Sequence, residues 1–132
     1  MSFHLLELLE CIQVIENKMI QAKAISRYNR QSARKIRKVL NKVRGAKVNN
    51  AIDYLHFSSE KASVLIEKTV RSAVSNLMQI DENNNVNIDS LLIKEAYVNQ
   101  GPVMKRFRAA SMGRASKLRR PTSHLTIVIA ID

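Results

Sequence analysis

Residues 101–124, "GPVMKRFRAASMGRASKLRRPTSH", carry seven Lys or Arg and no Asp or Glu, and they stand between two apolar runs, "LLIKEAYV" at 91–98 and "LTIVIAI" at 125–131. Runs of this composition read as strands, and Leu125, Ile127, Ile129 and Ile131 alternate along the second. A core cannot take in so many unpaired cations. The connection is also far longer than the roughly two to five residues of an ordinary hairpin loop. It offers strand-compatible stretches on either side of Gly113, and glycine permits the positive φ of a tight reversal. A long basic β-hairpin over about 99–124, with its tip near Met112 and Gly113, resolves the pattern. With some ten residues per side at about 3.3 Å each, such an arm reaches on the order of 30 Å from the domain. Two-stranded ribbons are marginal in water, so this one is expected to be ordered by an anionic medium, its Arg and Lys meeting phosphates. Phe107 and Met112 would lie against bases or apolar crevices. The bland alternative is a solvated loop.

A second basic block lies earlier in the chain. Residues 21–50 hold ten Lys or Arg and no carboxylate, whereas 51–90 is net acidic, so the formal charge of +11 comes as two patches. Two patches on one small chain favour a polyanion partner, and structured RNA fits both.

Catalysis and cofactors find little footing. The basic regions contain no carboxylate, Cys11 is the only cysteine, and His4, His56 and His124 are too scattered for a metal site. No catalytic residue, metal ligand or cofactor-binding residue is assigned, and no small-molecule substrate is expected. No apolar run approaches the ~18 residues of a membrane span. The N-terminal "MSFHLLELLECIQVIENKMI" lacks a basic start and carries Glu7, Glu10 and Glu16, unlike a signal peptide. A cytosolic or organelle-matrix location without membrane contact is expected.

The 132 residues leave room for one domain over 20–132, preceded by an N-terminal extension over 1–19. In the extension, Leu5, Leu8, Leu9, Ile12 and Ile15 approach helical spacing, giving a short amphipathic helix at 3–16. Alternation over 20–27 predicts a strand. Ile36, Val39, Leu40 and Val43 recur at i, i+3, i+4, i+7 between a capping Ser32 and a terminating Gly45, which predicts a helix. Its other faces carry Arg34, Lys35, Arg37, Lys38, Lys42 and Arg44. Val48, Ala51, Ile52 and Leu55 predict a second helix. A third, capped by Ser58 or Ser59, carries the broad stripe Ala62, Leu65, Ile66, Thr69, Val70, Ala73, Val74 and Leu77. "DENNN" at 81–85 reads as a loop. The outcome is an α+β fold: three helices packed on a small antiparallel sheet, a long basic β-hairpin protruding, and a mostly aliphatic core.

These residues resemble a known family. "IKEAYVNQGPVMKRFRAASMGRASKLRRPTSHLTIVIA" is similar to the C-terminal half of the bacterial-type universal large-subunit ribosomal protein twenty-two family, and "AKAISRYNRQSARKIRKVLNKVRG" to its N-terminal half. The resemblance implies a structural constituent of the large subunit that binds large-subunit ribosomal RNA, bridges RNA domains in assembly, contacts neighbouring ribosomal proteins, and helps line the nascent-peptide tunnel. It implies phosphate contacts by Lys105, Arg106, Arg108, Arg114, Lys117, Arg119 and Arg120, and a tunnel-facing tip at Ser111, Met112, Gly113, Arg114 and Ala115. Arg27, Arg30, Arg34, Lys35 and Arg37 match its basic strand-helix junction, with Lys38 on the same helix. Departures are Ala109-Ala110 in place of Pro-Arg, Ala33 in place of Pro, and the acidic leader at 1–18, read either as a lineage-specific helix that docks on a neighbouring ribosomal component or as the product of an upstream start.

Two rivals stand beside this reading. A free regulator placing the 34–44 helix in a groove would want base-edge donors, and that helix offers one, Asn41. An RNA-directed enzyme would need the carboxylates that the basic regions lack. Tyr28 and Phe107 are candidate stacking platforms, and Tyr97 reads as core or sheet surface. His124, in its Thr-Ser-His step, reads as packing or a hydrogen bond to RNA.

Overall fold

The computed structural model describes residues 21–80 and 87–131. The helix expected at 3–16 and the loop at 81–85 lie outside the described residues, as do Cys11 and His4. Strand β1 (Gln21–Asn29) leads into helices α1 (Ala33–Val43), α2 (Val48–Phe57) and α3 (Lys61–Ile80). A 3-10 turn at Ile88–Ser90 then precedes β2 (Leu91–Gln100), β3 (Met104–Ala109), β4 (Ala115–Arg120) and β5 (Ser123–Ile131). The class is α+β, as expected.

The helices form where the aliphatic spacing places them. Ile36, Val39, Leu40 and Val43 share one face of α1, and all are buried together with Ala33. Gly45 follows with φ +75°, a left-handed turn that a side chain would strain, and its N–H donates to the Ile93 carbonyl at 3.0 Å. Ser32 stands at the N-cap of α1 but makes no side-chain capping bond, contrary to expectation. Ser58 serves two helices: it closes α2, and its Oγ accepts the Glu60 N–H at 3.4 Å just ahead of α3. Along α3, Ala62, Ile66, Val70, Ala73 and Leu77 are buried, while Leu65 and Val74 are partly so.

The main sheet is antiparallel with order β1-β5-β2. Across its core face the rows run Ala22, Ile129, Ile93 and Ala24, Ile127, Ala96. Small residues on β1 leave space for α3, which packs on β1 and β5, while α1 packs on β2. The largest fully buried side chains are all Ile, Leu or Val.

Both outer edges are covered. Asn76 of α3 donates to the Lys23 carbonyl on β1 at 3.1 Å. On β2, the Ile93 N–H donates to the Ala46 carbonyl at 3.1 Å, Arg44 forks onto the Ala96 carbonyl at 3.0 and 2.6 Å, and Arg37 donates to the Val98 carbonyl at 2.8 Å. Arg37 and Arg44 lie two helical turns apart on α1, so one row of side chains satisfies successive edge carbonyls and blunts the edge against pairing.

Candidate nucleic-acid interface

β3 and β4 form a two-stranded antiparallel ribbon of their own, separate from the main sheet. Six residues per strand give about 20 Å of ladder rather than the 30 Å anticipated. The cause is local: Pro102 and Pro121 have no N–H to give, so neither β2 nor β5 runs unbroken into the ribbon. Cations occupy both of its faces. Pairs Met104–Arg120, Arg106–Leu118 and Arg108–Ser116 point one way, and Lys105–Arg119 and Phe107–Lys117 the other. Lys105 and Arg119 are directly opposed like charges, an unfavourable arrangement without an anion.

The tip reverses in two residues. Met112 (φ 58°, ψ 36°) and Gly113 (φ 66°) are both left-handed, and the Arg114 N–H donates to the Ser111 carbonyl at 3.3 Å, as in a type I′ turn. Glycine at 113 was legible as a reversal; a left-handed methionine beside it was not, because non-glycine residues seldom sit there. Between 109 and 116 only Arg114 is charged, so the tip is small and nearly neutral while the stem is strongly basic.

At the root, the Gly101 N–H donates to the Thr122 carbonyl at 2.9 Å and Thr122 Oγ1 donates to the Pro102 carbonyl at 2.6 Å. A Cβ on Gly101 would lie 2.5 Å from Thr122 Oγ1 and 3.1 Å from His124 Nε2, so only glycine fits the approach. His124 is held within the fold: its Nδ1 accepts the Tyr28 N–H at 3.0 Å, and the two rings meet edge to face at 4.8 Å. Tyr28 takes φ 54° where the β1 ladder slips between Ser26 and Asn29, whose side chains bond each other at 2.9 Å. The bulge sets Arg27 and Arg30, both exposed, at the entry to α1.

Between the ribbon's root and the helices lies an open groove of about 970 Å³. Arg30, Lys35 and Lys38 line it from the β1–α1 side, Lys61 from the start of α3, and Arg106 and Arg120 from the ribbon. The one carboxylate lining it among the described residues, Glu60, bonds Lys38 at 2.9 Å. The hydrogen bond and charge of Lys38 hold the Glu60 carboxyl below its usual range, and Glu60 in turn raises Lys38.

The sequence profile of the family "Ribosomal protein L22p/L17e" matches residues 24–130. The chain belongs to this family. Among L22 relatives, the large ribosomal subunit protein uL22 of Macrococcus caseolyticus is 45% identical over 111 residues, covering 84% of this chain and 87% of that protein. Its counterpart in Leptospira biflexa is 45% identical over 112 residues, covering 85% and 94%, and that of Halothermothrix orenii is 40% identical over 111 residues, covering 84% and 96%. As an L22 family member it is a structural, non-enzymatic ribosomal protein of the large subunit, and its bacterial relatives give the cytoplasm as the location. Among the described residues no helix is long and apolar enough to cross a membrane.

Within this L22 chain the anticipated RNA-contact residues divide by environment. Arg27, Arg34, Lys105, Arg108, Arg114, Lys117 and Arg119 are exposed. Arg30, Lys35, Lys38, Arg106 and Arg120 converge on the groove. Arg37 is exposed and also donates to the Val98 carbonyl at the sheet edge. Lys61, which no sequence expectation singled out, also lines the groove at the start of α3, directly after Glu60. Phe107 is 71% exposed opposite Lys117, and Tyr28 is 65% exposed. Tyr97 is 37% exposed on the outer sheet face, in keeping with its reading as sheet surface.

Proposed function

We propose that the ribbon anchors this protein in the large subunit by embedding in large-subunit ribosomal RNA, that it bridges RNA domains during assembly, and that its tip contributes to the wall of the nascent-peptide tunnel. One observation carries the reading: cations on both faces of a ribbon with no core of its own. A basic surface laid against a single RNA face needs charge on one side only. An element charged on both sides, with Lys105 opposite Arg119, gains most when phosphates surround it.

Lys105, Arg106, Arg108, Arg114, Lys117, Arg119 and Arg120 supply the phosphate contacts, and Arg27, Arg30, Arg34, Lys35 and Lys38 supply those of the globular part. Arg37 is left to the sheet edge. Such contacts fix position and carry little base-sequence information. The small, nearly neutral tip, Ser111 to Ala115, suits a surface past which a nascent peptide slides better than a phosphate clamp. Neighbouring ribosomal proteins are the further partners.

Gradient fractionation of ribosomes tests this. The triple variant Arg106→Ala, Arg108→Ala, Arg114→Ala should retain its fold by circular dichroism yet be depleted from large subunits after a high-salt wash. Normal incorporation of that variant would count against the ribbon as anchor. Cross-linking from a photoreactive residue at Met112 to a stalled nascent chain tests the tip, and absence of the nascent chain from the cross-linked products would remove the tunnel contact.

A further inference from the structure

We infer that the groove at the root of the ribbon is a single binding site for one RNA phosphodiester backbone, gripped at once by the globular part and by the ribbon. The inference rests on the RNA-binding reading and goes beyond it: the two basic patches, far apart in sequence, act as the two walls of one clamp rather than as separate adhesive surfaces.

Three observations meet here. The ribbon face that turns toward the groove is the one bearing Met104, Arg106 and Arg120, and it stands across the groove from Arg30, Lys35 and Lys38. Second, the start of α1 is electrostatically wrong for an empty site. Arg34 and Lys35 lie in its first turn, where the positive end of the helix dipole repels cations, no acidic residue stands there, and Ser32 makes no side-chain cap. At the start of α3, Lys61 follows Glu60 directly, and that carboxylate is engaged by Lys38. A bound phosphate would satisfy the lysines, the start of α1 and the serine together.

Third, the lining specifies the ligand class. Among the described residues no aromatic side chain lines the groove, so they offer bases no stacking platform, and the few apolar members, Ala62, Met104 and Pro121, are too scattered for an apolar ligand. What the walls recognise is regularly spaced negative charge. Among the described residues Glu60 is the sole opposing charge in the groove, and through Lys38 it competes with the strand.

The clamp is tested with the full chain and a fluorescent uridine oligoribonucleotide of about eight nucleotides, within the usual site size of single-strand binders, read by anisotropy. Lys35→Ala removes a cation from the domain wall and Arg120→Ala one from the ribbon wall. Each should weaken binding by about three- to tenfold at low salt and reduce the salt slope by about 0.7. In the double variant the loss should be close to that of either single change, because a strand released by one wall no longer meets the other. Glu60→Gln should act in the opposite direction and tighten binding. Lys68→Ala, an exposed cation outside the groove, is the control and should leave binding unchanged.

Losses that multiply in the double variant would show two independent surfaces and overturn the clamp, as would a Glu60→Gln variant that binds no more tightly. If the wild type ignores the oligonucleotide but binds a large-subunit ribosomal RNA fragment, the clamp falls and the RNA-binding reading stands. If it binds neither, both fall.

Discussion

Thr122 Oγ1 donates a 2.6 Å hydrogen bond to the carbonyl of Pro102, closing the root of the ribbon where the prolines have interrupted both ladders. Gly101 makes this contact possible, since a Cβ there would collide with the same hydroxyl at 2.5 Å. Gly101→Ala should therefore break the latch and cost about 1–3 kcal/mol by urea denaturation. Thr122→Val removes the hydroxyl without crowding and should cost less, about 1 kcal/mol. Equal stability of Gly101→Ala and the wild type would mean that the root is slack.

Arg37 and Arg44 should behave unlike the other arginines of the basic block. Each satisfies a carbonyl on the edge of β2. Arg37→Ala should lower stability by about 1–3 kcal/mol while leaving the salt slope of RNA binding unchanged. Arg106→Ala should do the reverse. A variant of Arg37 that altered the salt slope and left stability alone would return that residue to the RNA surface.

A side chain added at Gly113 would meet nothing within 4 Å, so only the φ of +66° there resists substitution. Gly113→Ala should cost about 1 kcal/mol locally. The change should appear as faster amide exchange at Ala110 and Arg114, with the main sheet unaffected.

The Lys38–Glu60 pair gives a pH signature. Glu60 titrates below a free glutamate because of the Lys38 hydrogen bond and charge, so its contribution is present above the unfolded pKa and lost as pH falls through the lowered folded value. Both side chains are exposed, so the contribution to stability is small. Carbon-detected NMR titration should find the Glu60 carboxyl shifted down in the wild type and restored toward the ordinary range in Lys38→Ala. An unchanged Glu60 titration in that variant would dissolve the pair.

Ile127 sits in the middle of the central strand, fully buried between Ala24 and Ala96. Ile127→Ala should cost about 2–5 kcal/mol in denaturant unfolding. A loss under ~1 kcal/mol would mean that the neighbours collapse into the space.

The helices were legible because their signal is local. Ile36, Val39, Leu40 and Val43 announce a buried face within eight residues of chain, and the structure buries all four. Strands 91–98 and 125–131 were legible for the same reason. Strand order was not: nothing near 125–131 says that this run pairs on both sides, and its partner at Gln21 is about a hundred residues distant. The ribbon's charge was plain, but its shortening depended on two prolines whose effect appears only once the ladders are known. Arg37 stands among the cations expected to face RNA, and Arg44 among those on the outer faces of the same helix. Their spacing of seven, each one residue after a buried aliphatic, was the signal that they flank the core face and reach the sheet. The groove is a product of tertiary approach, so only its individual cations could be read in advance.

The central position of β5 has a consequence for how the molecule comes into being. β1 and β2 flank β5 and do not pair with one another, and β5 is the last of the described elements in chain order. During synthesis both outer strands, and the whole ribbon, are made before the strand that joins them exists. The helices can gather early through local contacts, while the sheet must wait for residues 123–131 to emerge and close a loop spanning most of the chain. In that interval the ribbon's cations are already available to RNA on a chain whose sheet is still open, so the order of manufacture favours RNA engagement and final folding as overlapping events.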